Sequence, residues 1–294
     1  MSVRAELVRL GLRCFLKRRS GLERWRRDCS GAAAFIPGPP AGTKIATYDI
    51  GRVRAHRVTT PLSSSDRHVL YLHGGGYTAG SWTCYRHLAW HIAWAARASV
   101  LAIDYRLAPE HPFPAALEDA VSAYDWLTAD GANPRQLAVV GDSAGGGLVF
   151  GMLLKLRDER HPLPAAAVAL SPWTDLALTG PSLQTNARAD PMLNPEHLPK
   201  QTEYYLAGAD PRTPYASPLY GDLTAFPPTL IQVGSDEILL DDAVRMADRL
   251  RVAGCDVKLE VWRRMPHVWH LFVPALPEAR RGIKRVAAFV QDKF

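Results

Sequence analysis

Short apolar runs alternate with helical stretches from residue 69 to the end of the chain, and this alternation constrains the fold most strongly. Buried parallel strands have nearly continuous apolar sequences, and helices commonly connect them. The pattern therefore predicts an α/β fold with a mostly parallel sheet covered by helices on both faces. The strand-like runs are Val69–His73, Ser99–Asp104, Leu137–Val140, Ala166–Leu170, Thr229–Val233 and Val257–Trp262. The helical stretches are His87–Arg97, Ala115–Ala129, Ala144–Arg157, Asp241–Val252 and Glu278–Gln291.

Two segments fall outside this alternation. The stretches Thr47–Ile50 and Val53–Thr59, separated by Gly51, predict a hairpin ahead of the sheet. Residues 175–225 are rich in proline and aromatic residues, and their one short helical stretch lies near Glu196–Leu206. A long insertion between core strands often forms a lid or a pocket wall. We therefore predict an N-terminal helical element and a connector (1–42), an α/β core (43–174 and 226–294) and an insertion that forms a lid or a pocket wall (175–225).

The positive charge is concentrated at the N-terminus. The 294 residues have a formal net charge of +6, of which residues 1–27 carry +7 and the remainder −1. A nearly neutral body argues against a nucleic-acid-binding protein. Residues 3–19 predict an amphipathic helix with its charges on a solvated outer face, because Val3, Leu7, Leu10 and Phe15 recur at near-helical spacing. Contact of this helix with an anionic membrane surface is an open hypothesis.

The cysteine pattern and hydropathy favour a soluble protein in a reducing compartment. The four cysteines lie far apart and show neither a disulfide framework nor zinc-ligand spacing. No stretch approaches 18 uncharged apolar residues, and charged residues interrupt every apolar run near the N-terminus that could form a signal peptide. We therefore expect a cytoplasmic location.

Ser143 is the candidate nucleophile. It lies in the pentapeptide Gly141–Gly145 (Gly-Asp-Ser-Ala-Gly), directly after a strand-like run and directly before a helical stretch. A serine on a sharp strand-to-helix turn needs very small neighbours two positions away, and both of those positions are glycine. The start of the following helix favours a developing negative charge. A glycine-rich turn with a dinucleotide-binding or packing role is the alternative interpretation of this pentapeptide.

The segment His73–Tyr77 provides three consecutive glycines at the end of the first strand-like run. Glycines leave backbone N–H groups accessible to a substrate oxygen, as an oxyanion hole requires. The residue after the nucleophile is expected to provide a further donor. We expect His73 to orient this loop. The predicted oxyanion hole consists of Gly74, Gly75, Gly76 and Ala144.

A serine on such a turn needs a base and an acid that orients the base, in the chain order Ser, Asp or Glu, His. Asp236 lies nearest the end of the run Thr229–Val233, and we favour it as the acid. Glu237 and Asp241 remain alternatives for this role.

His267 is the favoured base because it lies in the loop after the last strand-like run. His270 lies about one helical turn further along, and we expect it to point elsewhere and to have a packing role. No set of histidines has metal-ligand spacing. We therefore predict neither a metal nor a cofactor.

These motifs together resemble the hormone-sensitive-lipase-like branch of the α/β-hydrolase superfamily, the bacterial esterases with an HGGG motif. The resemblance implies an eight-stranded, mostly parallel sheet, with a cap formed by the N-terminal helices and by an insertion after the sixth strand. It also implies that Gly75 and Gly76 are the N–H donors of the glycine loop, and that Glu110 and His111 are buried supports. The matching segments are His73–Tyr77, Asp104–Ala115, Gly141–Gly146, Gly234–Asp236 and Met265–His267. The chain departs from the family at the acid, where many relatives have Asp-Pro-Leu-Arg-Asp and this chain has Asp236–Asp241 (Asp-Glu-Ile-Leu-Leu-Asp).

The resemblance implies a carboxylic ester hydrolase that forms an acyl-enzyme on Ser143. We expect esters of short to medium acyl chains as substrates, with lactones compatible with the same chemistry. A catalytically silent ligand-binding or receptor module is the alternative, but such modules lose the base that is present here as His267. By analogy with the family, a homodimer would form through the last strand and helix. The candidate pocket residues are Tyr77, Trp82, Met192, Leu193, Tyr204 and Trp269, with Trp173 and Tyr205 as further aromatic residues near the site.

Overall fold

One eight-stranded sheet forms the centre of the computed structural model, which describes residues 2–15, 21–32 and 38–294. The strands are β1 (Lys44–Ile50), β2 (Val53–Thr59), β3 (His68–Leu72), β4 (Ser99–Asp104), β5 (Leu137–Asp142), β6 (Ala166–Leu170), β7 (Thr229–Gly234) and β8 (Val257–Trp262). Their spatial order is β1-β2-β4-β3-β5-β6-β7-β8. The pairs β1–β2 and β2–β4 are antiparallel, and all other neighbouring pairs are parallel. The predicted eight-stranded, mostly parallel sheet is confirmed.

Helices cover both faces of the sheet. Those in the described residues are α1 (Val3–Phe15), α2 (Leu22–Ala32), α3 (Trp82–Ala96), α4 (Ala115–Ala129), α5 (Ala144–Asp158), α6 (Ser182–Thr185), α7 (Leu198–Leu206), α8 (Leu240–Val252) and α9 (Pro277–Lys293). Helices α4, α5 and α8 pack in one apolar core, and α3 and α9 pack in the other. Within these ranges, no helix combines the length and the apolar character needed to cross a membrane.

Strand β5 shows how the sheet separates the two cores. Leu137 and Val139 belong to the core with α5, whereas Ala138 and Val140 belong to the core with α9. Successive side chains of a strand point to opposite faces, so a strand covered on both sides must be apolar throughout. This explains why the central strands have continuous apolar sequences.

The two segments that are predicted to form a cap are distant from each other in the sequence. Between β6 and β7 the chain runs through residues 171–228, which contain α6 and α7, and the predicted insertion 175–225 lies within this connection. The other segment contains α1 and α2 at the N-terminus. Residues 16–19 of the predicted first helix and residues 33–37 of the predicted connector lie outside the described residues.

Helix α1 packs with a different face from the one that its apolar residues predict. Val3, Leu7 and Leu10 are 79%, 64% and 61% exposed. Among the side chains of the helix that the structure describes, which do not include Phe15, the buried ones are Ala5, Arg9 and Leu12. The prediction that the charges of this helix are solvated is therefore wrong for Arg9, because its guanidinium finds a carboxylate and carbonyl groups in the packed interface.

Candidate active site

Ser143 lies at the turn between β5 and α5, with φ 53° and ψ −121°. Such a backbone conformation is sparsely populated for residues other than glycine and costs about 1–3 kcal/mol. The turn tolerates no side chain beside it, because a Cβ on Gly141 would lie 2.3 Å from the carbonyl oxygen of Gly145. A Cβ on Gly145 would lie 2.1 Å from the carbonyl oxygen of Leu72. The glycines therefore allow the turn that presents the serine hydroxyl.

The hydroxyl of Ser143 begins a chain of hydrogen bonds. Its Oγ lies 2.9 Å from Nε2 of His267, and Nδ1 of His267 lies 2.7 Å from Oε2 of Glu237. The second carboxylate oxygen of Glu237 accepts hydrogen bonds from the N–H of Gly234 at 2.6 Å and the hydroxyl of Ser171 at 2.7 Å. His267 and Glu237 are 2% and 0% exposed. The carboxylate is thus fixed from both sides and faces the imidazole.

The environment of His267 sets its protonation. Burial alone would lower the pKa of His267, but the hydrogen bond and the charge of Glu237, together with the charges of Asp190 and Asp142, outweigh burial and raise this pKa above its usual value. When His267 is neutral and Nδ1–H donates to Glu237, Nε2 is left to accept the proton of Ser143. This arrangement can deprotonate a serine hydroxyl.

Asp236, the predicted acid, does not contact His267. Its Oδ2 accepts a hydrogen bond from Nη2 of Arg9 at 2.7 Å, and its Oδ1 accepts one from the hydroxyl of Ser235 at 2.9 Å. The prediction that Asp236 orients the base is therefore wrong, and the alternative, Glu237, occupies that position. Asp236 turns away because a buried cation on α1 attracts its carboxylate.

One local signal distinguishes Glu237 from the other two acidic candidates. Glu237 is followed by Ile238 and Leu239, which are both buried, so the chain turns inward at this point. The third candidate, Asp241, instead accepts a hydrogen bond from the N–H of Ser182 at 2.6 Å. The buried apolar residues that follow Glu237 therefore indicate the inward-facing carboxylate better than distance from the end of the strand does.

The glycine loop after β3 faces Ser143. Gly75 and Gly76 line the same cavity as Ser143. In the part of the chain that the structure describes, no group accepts a hydrogen bond from the N–H of Gly75, Gly76 or Ala144. A Cβ on Gly75, whose φ is 121°, would lie 2.1 Å from the carbonyl oxygen of Ala79. A side chain at Gly75 would not fit, and the N–H groups of Gly75 and Gly76 remain available beside Ser143.

Gly74 differs from the other predicted donors. Its N–H donates to Oδ1 of Asp142 at 3.1 Å, so the prediction of Gly74 as an oxyanion donor is wrong. The same carboxylate oxygen accepts a short hydrogen bond from the hydroxyl of Tyr71. Burial raises the pKa of Asp142 to about 7. The buried carboxyl fixes the first residue of the glycine loop.

Aromatic side chains pack around His73 at the start of the glycine loop. The His73 ring stacks on Tyr105 and Tyr85 with centroid distances of 4.2 and 5.3 Å, and its Nδ1 lies 2.7 Å from the carbonyl oxygen of Gly74. The hydroxyl of Tyr105 donates to the carbonyl oxygen of His73 at 2.7 Å. Glu110 and His111, by contrast, are exposed, so the implication that they are buried supports is wrong.

A small cavity of about 40 Å³ lies beside Ser143. Met192 and Leu193, two of the predicted pocket residues, line it. The aromatic residue Trp173 lines it as well. Sequence reasoning missed further lining residues, namely Trp25, Tyr85, Leu198, Gln201, Leu239, Val268 and Leu271. The cavity wall therefore combines residues of α2, the insertion and the core loops.

Four predicted pocket residues do not line this cavity. Each of them packs against another ring or a cation: Tyr77 on Tyr205, Trp82 on His56, Tyr204 on Lys200 and Trp269 on Trp262. Their assignment to the pocket is wrong because large aromatic side chains near an active site also build the core around it. Across the described ranges, no group of three or more His, Cys, Asp or Glu side chains is arranged to hold a metal ion.

The sequence matches a family of known proteins over most of its length. Residues 69–271 match the family model described as the α/β hydrolase fold. An acetyl-hydrolase of Streptomyces hygroscopicus is 48% identical over 254 residues, which cover 86% of this chain and 84% of that protein. An esterase of Acinetobacter venetianus is 34% identical over 247 residues, which cover 84% of this chain and 81% of that protein.

Solved structures match the whole chain. An esterase of the bacterial hormone-sensitive lipase family superposes with a TM-score of 0.96 at 44% sequence identity and covers 100% of this chain and 99% of its own. EstE5, in a crystal soaked with p-nitrophenyl butyrate, superposes with a TM-score of 0.95 at 39% identity, again over 100% of this chain and 99% of its own. The likeness therefore extends beyond the sheet to the segment between β6 and β7 and to the N-terminal helices.

Proposed function

Since the chain belongs to the α/β-hydrolase family and is a carboxylic ester hydrolase of the hormone-sensitive-lipase-like type, we propose that Ser143, His267 and Glu237 form its catalytic triad. The observation that carries this proposal is the continuous chain of hydrogen bonds at 2.9 and 2.7 Å from the serine hydroxyl to a buried carboxylate. Nucleophile, base and orienting acid then have the geometry that acyl transfer requires.

The reaction proceeds in two steps. Ser143 Oγ attacks the ester carbonyl carbon while Nε2 of His267 takes the hydroxyl proton, and the tetrahedral intermediate expels the alcohol with a proton from His267. Water, deprotonated by the same nitrogen, then attacks the acyl-enzyme and releases the carboxylic acid and free Ser143. Glu237 keeps the imidazole oriented and stabilises its protonated form.

The backbone N–H groups of Gly75, Gly76 and Ala144 form the oxyanion hole in this proposal. They lie beside Ser143, and Ala144 is the first residue of α5, so its N–H has no partner within the helix. The partial positive charge at the start of the helix favours the oxyanion further. Gly74 stays outside this set because Asp142 occupies its N–H.

The substrate is an ester with a short acyl chain. A cavity of about 40 Å³ leaves space for a small acyl group unless residues of the cap move. The acetyl-hydrolase among the relatives points in the same direction. Medium-length chains then require displacement of side chains such as Leu193 and Leu198. Lactones remain candidate substrates because ring opening uses the same oxyanion chemistry.

The decisive experiment compares the wild type with Ser143→Ala on p-nitrophenyl acetate, butyrate and octanoate and on a γ-lactone. We expect the variant to lose at least about a thousand-fold in kcat while keeping its circular dichroism spectrum. For the wild type, we expect kcat/KM to be highest with acetate or butyrate. Turnover by Ser143→Ala at the wild-type rate would exclude the proposed nucleophile, and a preference for octanoate would exclude the proposed substrate range.

A further inference from the structure

Arg9 on α1 is a buried cation. It is 4% exposed. Burying an arginine side chain is costly unless it is paired and hydrogen-bonded. The other arginines of α1, Arg4 and Arg13, are exposed. The buried position of Arg9 therefore needs partners that compensate for the lost hydration.

The hydrogen-bond acceptors of Arg9 come from three separate segments, and its Nε also lies 3.7 Å from Oε2 of Glu6 on the same helix. Its Nη2 donates to Oδ2 of Asp236 at 2.7 Å and to the carbonyl oxygen of Ala189 at 3.4 Å. Its Nη1 donates to the carbonyl oxygen of Arg264 at 2.8 Å. The planar guanidinium suits this task because its donors point in several fixed directions at once.

Each of these segments leads directly to a part of the active site. Asp236 precedes Glu237, and Arg264 lies three residues before His267. Ala189 precedes Asp190, whose carboxylate accepts hydrogen bonds from the N–H groups of Met192 and Leu193 in the cavity wall and of Ile238 after the acid. One guanidinium thus joins the loops of the acid, the base and the pocket.

The two core loops are also joined to each other beside Arg9. The hydroxyl of Ser235 donates to Asp236 at 2.9 Å and accepts a hydrogen bond from the N–H of Arg264 at 2.8 Å. If Arg9 were lost, the Asp236 carboxylate would keep only its contact with the Ser235 hydroxyl among the described residues. Both loops are therefore in contact with a helix from the opposite end of the sequence.

We propose that Arg9 is a positioning residue for hydrolysis: through Asp236 and the carbonyl group of Arg264, it keeps Glu237 and His267 aligned with Ser143. The proposal rests on the catalytic triad given above and adds the N-terminal helix to the parts that the reaction needs. Arg9 lies outside the reacting groups, so its loss affects the chemical step more than the affinity for a small ester. Small displacements of catalytic groups are sufficient to slow the chemical step strongly.

The test compares Arg9→Met, Arg9→Lys, Asp236→Asn and Arg13→Met on p-nitrophenyl acetate. We expect Arg9→Met to lower kcat about ten-fold or more and to change KM less than about three-fold. Arg9→Lys should recover part of kcat, because an ammonium group can still pair with Asp236 but cannot reach all the acceptors. The rate at which a fluorophosphonate labels Ser143 should fall in parallel with kcat.

Arg13→Met is the matched control. Arg13 lies on the same helix and also donates to the carbonyl oxygen of Ala189, at 3.2 Å, and to that of Arg188, at 3.4 Å. Its described contacts do not include Asp236 or Arg264, so we expect kcat to stay within about two-fold of the wild type. A loss equal to that of Arg9→Met would mean that attachment of the helix, and not alignment of the loops, is what matters, and would overturn the proposal.

Asp236→Asn keeps the proposal testable even if Arg9→Met fails to fold. It leaves the helix intact but weakens the pair, and we expect kcat to fall by a factor of a few, up to about ten. Where both single variants fold, the double variant should be no slower than Arg9→Met, because both changes break one interaction. Full kcat in a folded Arg9→Met or Asp236→Asn variant would refute the positioning role. Because Ser143→Ala is tested separately, that result would leave the proposed triad standing.

Discussion

At the scale of single residues, two adjacent acidic side chains have different tasks. Glu237 accepts the hydrogen bond of His267, whereas Asp236 accepts that of Arg9. Both residues follow β7, so position in the sequence alone does not separate them. The difference comes from direction, because one carboxylate turns into the core and the other turns toward α1.

The first residue-scale prediction separates these two tasks by matched substitutions. Glu237→Gln should lower kcat/KM for p-nitrophenyl acetate about 10³–10⁴-fold, because an amide no longer stabilises the protonated imidazole or its correct tautomer. Asp236→Asn should lower it no more than about ten-fold. Steady-state kinetics of the two variants measure this directly. A larger loss of kcat/KM in Asp236→Asn than in Glu237→Gln would show that Asp236, and not Glu237, is the acid that orients His267.

The second residue-scale prediction concerns pH. His267 acts as a base only when neutral, so kcat/KM should rise with pH as His267 loses its proton. Glu237 raises the pKa of His267 above its usual value. The increase of kcat/KM with pH should therefore occur at a higher pH than it would for an ordinary histidine. In Glu237→Gln the residual activity should therefore rise at lower pH than in the wild type. A pH–rate profile that does not move would show that Glu237 does not set the pKa of the base.

At the scale of elements, the pocket is formed by segments that the motifs do not identify. Trp25 of α2 lines the cavity together with Leu198 and Gln201 of α7. Helix α2 is also tied to the core, since Arg26 forms two hydrogen bonds of 2.7 Å with Glu110. Helices α2 and α7 therefore shape the cavity beside Ser143.

Removal of the Trp25 indole should lengthen the acyl chain that the enzyme accepts. We expect Trp25→Ala to raise the ratio of kcat/KM for p-nitrophenyl octanoate to that for p-nitrophenyl acetate about ten-fold, because longer chains gain space and apolar contact. Trp94→Ala is the control, since Trp94 on α3 is 38% exposed and does not line the cavity. An unchanged ratio in Trp25→Ala would mean that α2 does not limit chain length.

At the scale of the whole molecule, a buried carboxyl group joins the cap insertion to the core. Asp242, in the first turn of α8, is 1% exposed and accepts hydrogen bonds from the N–H groups of Thr174 and Asp175 at 2.8 and 2.9 Å. Burial raises the pKa of Asp242 to about 7, although the hydrogen bond from Thr174 opposes the rise. The folded protein therefore binds a proton here that the unfolded chain releases at a pH near 4.

This proton predicts how stability depends on pH. Because the folded pKa is raised, the contribution of Asp242 to the free energy of unfolding is fully present below pH 4 and is lost as pH rises toward 7. One buried group with this shift accounts for up to about 4 kcal/mol. In urea unfolding between pH 5 and 8, the stability of the wild type relative to Asp242→Asn should fall up to pH 7 and then level off. A constant difference would show that Asp242 titrates normally.

The parts that could be predicted from the sequence are those that neighbouring residues determine. Strands β4, β6 and β8 have the predicted bounds, and α4 does as well. Helix α3 begins five residues earlier than predicted, at Trp82, whose N–H bonds to Asp104 on the adjacent strand. Alternation of apolar runs fixes the type of sheet, while the exact start of an element depends on contacts distant in sequence.

The α/β sheet, the sharp turn at Ser143, the glycine loop and the position of His267 after the last strand could all be predicted from the amino-acid sequence. Each follows from spacing within a few residues, since a backbone conformation is governed by its nearest neighbours. Contacts between distant segments determine that Glu237 faces His267, that the N–H of Gly74 donates to Asp142 and that α1 packs with the face that carries Arg9. These outcomes depend on pairs such as Arg9 and Asp236, which lie 227 positions apart in sequence and 2.7 Å apart in space. A buried charge needs a partner that offsets its lost hydration. When that partner is distant in sequence, no local sequence pattern predicts the pair.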